Sequence, residues 1–349
     1  MDGELTLIST RRIDYIDMAK GIGILLIIFG HLQPKYGVLS NYASYFKISL
    51  FYVLSGFLVS KSDKVNVKGK TKSLLVPYFF WSLIFIVEQV IKGILRGGDV
   101  KDTILYIIEI ISGKGIMTLW FLPSLLLAII LHIYITPKNT FFIVLLLIIV
   151  PFFVKIIIAT DFVVNIKREI SITYILFCFL CVAVKGIVAW WFFETSFLTF
   201  SIMIERIKIY QSIVIFLLVG VGVTILPKAN IDFNRLFLGD YPILFFAVGL
   251  VASFSMIISL KGINSVKVLC YIGRNSLFFM CAHMVLFITS ISNKMVIAIQ
   301  SKIFNTKINN LASVSSSFLI TVTIVYLLSL VWNHIKDRVV LKYEIFKYI

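Results

Sequence analysis

Residues 11–32 read RRIDYIDMAKGIGILLIIFGHL. The run that begins at Ile13 is long and apolar enough to cross a hydrocarbon core about 30 Å thick. A bilayer core offers the backbone no water, so such a run must satisfy its own hydrogen bonds as a helix. Yet this one carries Asp14, Asp17, Lys20 and His31. Ionisable groups at membrane depth are expensive, and where they occur the default reading is functional. The stretch therefore implies two things together: a membrane helix, and a polar interior that the helix helps to line.

The rest of the chain agrees with the first implication. Hydrophobic residues make up 60% of the 349 residues and charged ones only 14%, with a mean hydropathy of +1.00. That composition excludes an ordinary soluble domain. Apolar blocks of about twenty residues recur at roughly 13–33, 44–60, 74–94, 118–136, 140–158, 172–193, 208–226, 240–260, 269–292 and 312–335. None alternates apolar with polar residues as barrel strands do. The expected fold is thus all-α, a polytopic bundle of about ten spans forming one membrane-embedded domain over residues 1–349 with no appended soluble domain. Segment 101–112 (KDTILYIIEIIS) is too short and polar to span and reads as an interfacial helix.

Charge orients the bundle. Lys61, Lys64, Lys68, Lys70 and Lys72 face only Asp63 in the loop after the second span, and such a loop belongs in the cytoplasm. Alternation then places both termini inside, and leaves segments 34–43, 95–117, 159–171, 227–239 and 293–311 outside. The formal charge of +16 reads in this setting as positive-inside bias and attraction to anionic lipid, with no nucleic-acid partner. The first span lacks a cleavage site and is retained. Cys178, Cys181, Cys270 and Cys281 all lie in apolar runs and read as small packing residues. The histidines lack ligand spacing with one another, so no metal site is expected.

Within the first helix, Lys20 and His31 are eleven residues apart. At 100° per residue both leave one face, separated along the axis by roughly 16 Å. Asp17 stands three residues before Lys20 and can neutralise it. Gly21 and Gly23 remove bulk beside the lysine, so another backbone can come close. Asp14 and Lys20 also admit a plainer account, snorkelling to the interface. A second polar group, Arg274, Asn275, Ser276 and His283, lies near the end of the chain. Arg274 needs a partner, for which Asp14 and Asp17 are candidates. Ser276 and His283 share a helix face, and His283 is either a second functional histidine or a hydrogen-bonded structural one. Glu88 and Lys92 form an i,i+4 surface pair. His132 and His334 read as interfacial residues near cytoplasmic ends.

These residues resemble the landmarks of acyltransferase family 3, the membrane O-acyltransferases. Lys20 followed by His31 is similar to that family's opening basic-x10-His helix. Phe51–Leu58 (FYVLSGFL), Lys72–Trp81 (KSLLVPYFFW), Leu119–Pro123 (LWFLP), and Ile272–Leu277 (IGRNSL) followed by His283 come in family order. Lys20 departs from the arginine many members carry, losing the fork but keeping the charge. The esterase-like domain of some relatives is not expected here.

The resemblance implies transfer of an acetyl or other acyl group from acyl-CoA to a hydroxyl of a cell-surface or lipid-linked glycan, in the cytoplasmic (inner) membrane. Acetyl-CoA would be the donor substrate, with no permanently bound cofactor. The catalytic residues would be His31, as general base or transient acyl carrier, and Asp17. Arg12, Lys20 and Lys72 would hold the coenzyme A phosphates. Asp14, Ser55, Trp120, Arg274, Ser276 and His283 would line the cavity. Ser55 with Gly56 equally suits close helix packing, and Trp120 equally suits an aromatic belt. A transporter or flippase for a lipid-linked sugar or acyl donor is the alternative, and assembly into homo-oligomers stays open.

Overall fold

The computed structural model describes residues 13–32, 38–62, 65–96, 100–135, 140–225, 231–232, 236–239, 241–304 and 310–340. Helix α1 spans Asp14–Leu32, its first turn carrying Asp14 and Asp17 where the helix dipole favours negative charge. Helices α2 (Val38–Phe46) and α3 (Ser49–Ser60) meet at a turn over Lys47 and Ile48. Next come α4 (Val67–Arg96), α5 (Val100–Ile111), α6 (Phe121–Ile135), α7 (Thr140–Ile158) and the single turn α8 (Asp161–Val164). Helix α9 (Ile172–Arg206) is capped by the Ser171 hydroxyl, which accepts from the Tyr174 N–H. The chain continues through α10 (Ile209–Ile225), α11 (Pro242–Leu260), α12 (Lys267–Arg274), α13 (Ser276–Val285), α14 (Ile288–Phe304) and α15 (Asn310–Val340). The strands β1 (Ile231–Asp232) and β2 (Phe237–Leu238) form one small antiparallel pair.

Among the described residues six helical stretches are long and apolar enough to cross a membrane, one of them α2 and α3 taken together over Ser40–Ser60, and the bent pair α12–α13 makes a seventh if it is one span. Three shorter apolar helices, Phe121–Ile135, Phe142–Ile158 and Ile209–Ile225, coincide with the remaining expected segments. Outward faces are apolar: Leu83, Ile94, Ile148, Phe152, Leu217, Val221 and Leu327 are all more than half exposed. A surface of that kind is viable against lipid and not against water. The molecule is a multi-pass helical membrane protein.

Two expectations need correction. The segment expected as one span over 269–292 is broken: α12 and α13 meet at Asn275 with a 70° bend, and α13 stops at Val285. Asn275 turns its amide onto the Tyr271 carbonyl at 2.9 Å, a local bond that competes with continuing the helix. Part of the segment expected as an outer loop over 293–311 belongs to α14.

His132 is also more than an interfacial residue. It is buried, with its Nδ1 2.7 Å from the Glu194 carboxylate. The reason is the length of α9. It runs 35 residues, roughly 52 Å, so Glu194 lies mid-helix and fully buried instead of at a span end. The expected ion pair of Glu88 and Lys92 is present at 2.7 Å.

The segment expected to be interfacial is the helix α5, and it carries an ion cluster absent from the sequence expectations. Glu109 accepts from Lys114 at 2.9 Å, from Arg168 at 3.1 Å and from the Tyr174 hydroxyl. Burial alone would raise the Glu109 carboxyl, but the Lys114 ammonium and these hydrogen bonds outweigh it and hold the pKa below its ordinary 4.5. For Lys114, burial pulls down and Glu109 more than restores it, so its pKa lies above the ordinary 10.5. Glu109 therefore contributes stability that is complete above its unfolded pKa and lost as pH falls through the folded value. The Lys114 contribution is complete below 10.5 and lost as pH rises through its folded value. Thermal unfolding of wild type minus that of a Glu109→Gln, Lys114→Met double variant should be flat between about pH 5 and 10 and shrink at both extremes. A difference that instead changes steadily across neutral pH would contradict the cluster.

Candidate active site

The first helix is held by its own small residues. A Cβ on Gly21 would lie 2.4 Å from the Leu269 carbonyl oxygen, and one on Gly273 only 1.8 Å from that of Asp17. Helices α1 and α12 thus touch backbone to backbone, the approach expected from Gly21. Gly23 instead faces the side chains of Leu50 and Phe51. Arg274, at the end of α12, donates from Nε to Asp17 at 2.9 Å and stands 3.5 Å from Asp14, so both expected partners are engaged. The guanidinium is 42% exposed. A pair that open contributes at most about 1 kcal/mol, and its main effect is to aim Arg274.

Beside it lies a cavity of about 660 Å³ whose lining includes Asp17, Lys20, Lys61, Ser62, Arg274 and Ser276. Four residues expected at the site therefore meet at one mouth, with three cations against one carboxylate. Lys72 is exposed on α4 and outside this lining. Arg12 lies outside the described residues. Asp17 belongs to the mouth: it sits fourteen residues, roughly 21 Å, from His31.

At the other end of α1, His31 is exposed and its ring centroid is 5.4 Å from that of His283, tilted by 44°. His283 is fully buried. Its Nδ1 is 2.7 Å from the Phe279 carbonyl, and a carbonyl only accepts, so the proton resides on Nδ1. Nε2 is then a bare acceptor, buried and without a hydrogen bond. Lys47 completes the group: a Cβ on Gly30 would meet its Nζ at 2.4 Å. An accessible imidazole, a buried one with an open nitrogen and an ammonium at one place can move a proton and steady a developing negative charge.

Ser55 and Trp120 stand differently. The Ser55 hydroxyl bonds the Phe51 carbonyl of its own helix at 2.7 Å, while Gly56 packs directly on the α9 backbone at Phe193. Trp120 is buried, with the Lys185 ammonium 5.1 Å from its ring centroid. Lys47, Lys185 and Glu194 were missing from the sequence reading. The rule that flagged His31 applies equally to Lys47 and Lys185, which fall inside expected spans.

The fold and this interior define the class: a membrane protein with charge at one mouth and paired imidazoles within. The acyltransferase-domain model of acyltransferase family 3 matches residues 13–330, nearly the whole chain, and the chain belongs to that family. No curated protein and no solved structure matches it. It is a membrane acyltransferase.

Proposed function

We propose that this protein transfers an acetyl group from acetyl-CoA to a hydroxyl of a cell-surface or lipid-linked glycan, across a bundle of ten spans with both ends in the cytoplasm. The observation that carries the reading is the meeting of His31 and His283, joined to the cationic mouth by α1. The acceptor hydroxyl is almost never ionised at neutral pH, so its attack needs a base. His31 takes the proton as the oxygen bonds to the thioester carbonyl. The carbon–sulfur bond then breaks, and the imidazolium returns a proton to the departing thiolate. Transient acetylation of His31, with loss of coenzyme A before the hydroxyl attacks, is the variant of the same chemistry.

Lys47, whose ammonium lies beside Gly30 next to His31, would supply a positive charge to the oxyanion of the tetrahedral intermediate. At the mouth, Lys20, Lys61 and Arg274 suit the phosphates of coenzyme A, with Arg12 as a further candidate. The pantetheine arm would bridge most of the roughly 16 Å to His31. Lys47→Met should lower the turnover of acetyl-CoA about 10²-fold with little change in KM, the mark of a group that acts on the transition state. A raised KM with unchanged turnover would move Lys47 to donor binding.

The broader test is genetic. A strain lacking the gene should lose O-acetyl signals from its surface glycan by NMR and regain them with the wild-type gene. An unchanged glycan would overturn the acceptor assignment.

A further inference from the structure

A second cavity, of about 890 Å³, lies away from the mouth, within the range of roughly 300–1,000 Å³ typical of small-ligand sites. Its walls include Glu109 of α5, the turn Lys114–Met117, Val163–Arg168, Tyr174 of α9, and Asp232 and Phe237 of the hairpin. These walls come chiefly from segments 95–117, 159–171 and 227–239, the three that charge alternation puts on the outer side. The mouth cavity, by contrast, includes Lys61 and Ser62, from the loop assigned to the inside.

The lining is polar in a specific way. Lys114, Arg168 and Tyr174 all donate to Oε1 of Glu109, which leaves Oε2 without a hydrogen bond among the described residues. Arg168 uses Nε on Glu109 and NH1 on Asp102, so NH2 remains to donate. Lys114 gives two of its three N–H groups to Glu109 and Tyr174. Tyr106 offers an aromatic wall, one side under the Arg168 guanidinium at 4.5 Å, the ring packed edge-on against Phe85.

Among the described residues both cations are already matched, Lys114 by Glu109 and Arg168 by Glu109 and Asp102. An anionic ligand would have to displace one of these carboxylates and a cationic one would have to compete for Glu109, whereas a ring of vicinal hydroxyls uses the spare acceptor and donors as they stand.

The cavity is also tied to the histidines. The Thr118 hydroxyl, one residue past the turn, donates to the Met280 carbonyl at 2.7 Å, one helical turn before His283. Phe85 stacks on Phe287 just beyond α13. We infer that this cavity binds an uncharged sugar, with Glu109 Oε2 accepting from a sugar hydroxyl, Lys114 and Arg168 donating, and Tyr106 as the wall for the ring. It rests on the acyl-transfer reading and makes this the acceptor's station, on the opposite side from the coenzyme A mouth.

The test is saturation-transfer NMR on the full chain in lipid nanodiscs without acetyl-CoA, using methyl glycosides of glucose, galactose and N-acetylglucosamine, and of glucuronic acid and glucosamine as charged controls. At least one uncharged glycoside should receive saturation. Its affinity should fall about tenfold or more in Glu109→Gln, which strips the acceptor, and in Tyr106→Ala, which leaves the ion cluster whole. Acetyl-CoA binding unchanged in both variants shows that they are folded. Saturation of no uncharged glycoside, equal saturation in all variants, or preference for a charged glycoside would overturn the inference. Glu109-dependent binding of a sugar that never becomes acetylated would sink the transfer reading and leave the site standing. His31-dependent glycan acetylation indifferent to both variants would do the reverse.

Discussion

His31→Ala is expected to lower acetyl transfer about 10²–10⁴-fold, the contribution of a positioned acid–base group. The donor should still bind, because Lys20, Lys61 and Arg274 sit at the far end of α1. Purified protein with labelled acetyl-CoA reads both effects: binding intact, transfer gone. His283→Asn is the companion. Its amide can still donate to the Phe279 carbonyl that now holds Nδ1 at 2.7 Å, while the bare Nε2 is deleted. If Nε2 accepts a proton during transfer, that variant loses activity without losing stability; if His283 is only a helix-internal prop, the variant behaves like wild type. Trapping labelled protein in the absence of acceptor separates the two routes. Label retained on wild type and lost in His31→Ala indicates the acyl-imidazole, and no retained label indicates direct attack. Full acetylation by His31→Ala would remove the histidine from the mechanism altogether.

Much of this was legible because a bilayer makes polarity conspicuous. Asp14, Asp17, Lys20 and His31 stood out against an apolar run, and Arg274 beside Asp17 followed from the need of a membrane cation for a partner. Hydrophobicity marked where helices lie, since every described apolar block had to satisfy its backbone internally. It could not mark where they break. Arg274, Asn275 and Ser276 marked the place as polar, but polarity within an apolar block does not say that the helix turns there by 70°. Lys47 went unread because it sits at the edge of its block, and only the fold carries it to Gly30. Glu109 was invisible for another reason. Its partners Lys114, Arg168 and Tyr174 are assembled from three separate segments, and no spacing rule within one helix brings them together.

Gly273→Ala should disable the enzyme through the same crossing that places the mouth. The added Cβ would stand 1.8 Å from the Asp17 carbonyl oxygen, whereas ordinary contact begins near 3.4 Å. Backbone oxygen cannot rotate aside as a side chain can, so α1 and α12 must part by about 1.5 Å. Overpacking of this kind costs about 1–3 kcal/mol, sometimes more. In lipid no hydrophobic driving force pulls the helices back, because association there depends on close packing. Parting them lengthens the 2.9 Å bond from Arg274 to Asp17 and shifts α13, with His283, relative to His31. Misplacement by about 1 Å can reduce turnover about 10²-fold. Gly93→Ala and Gly222→Ala supply the controls, since a Cβ there meets nothing within 4 Å. They should leave the melting temperature in nanodiscs unchanged or slightly higher, while Gly273→Ala lowers both melting temperature and transfer. Equal behaviour of all three variants would mean that α1 and α12 do not cross at these glycines, and the alignment of the two histidines would lose its support.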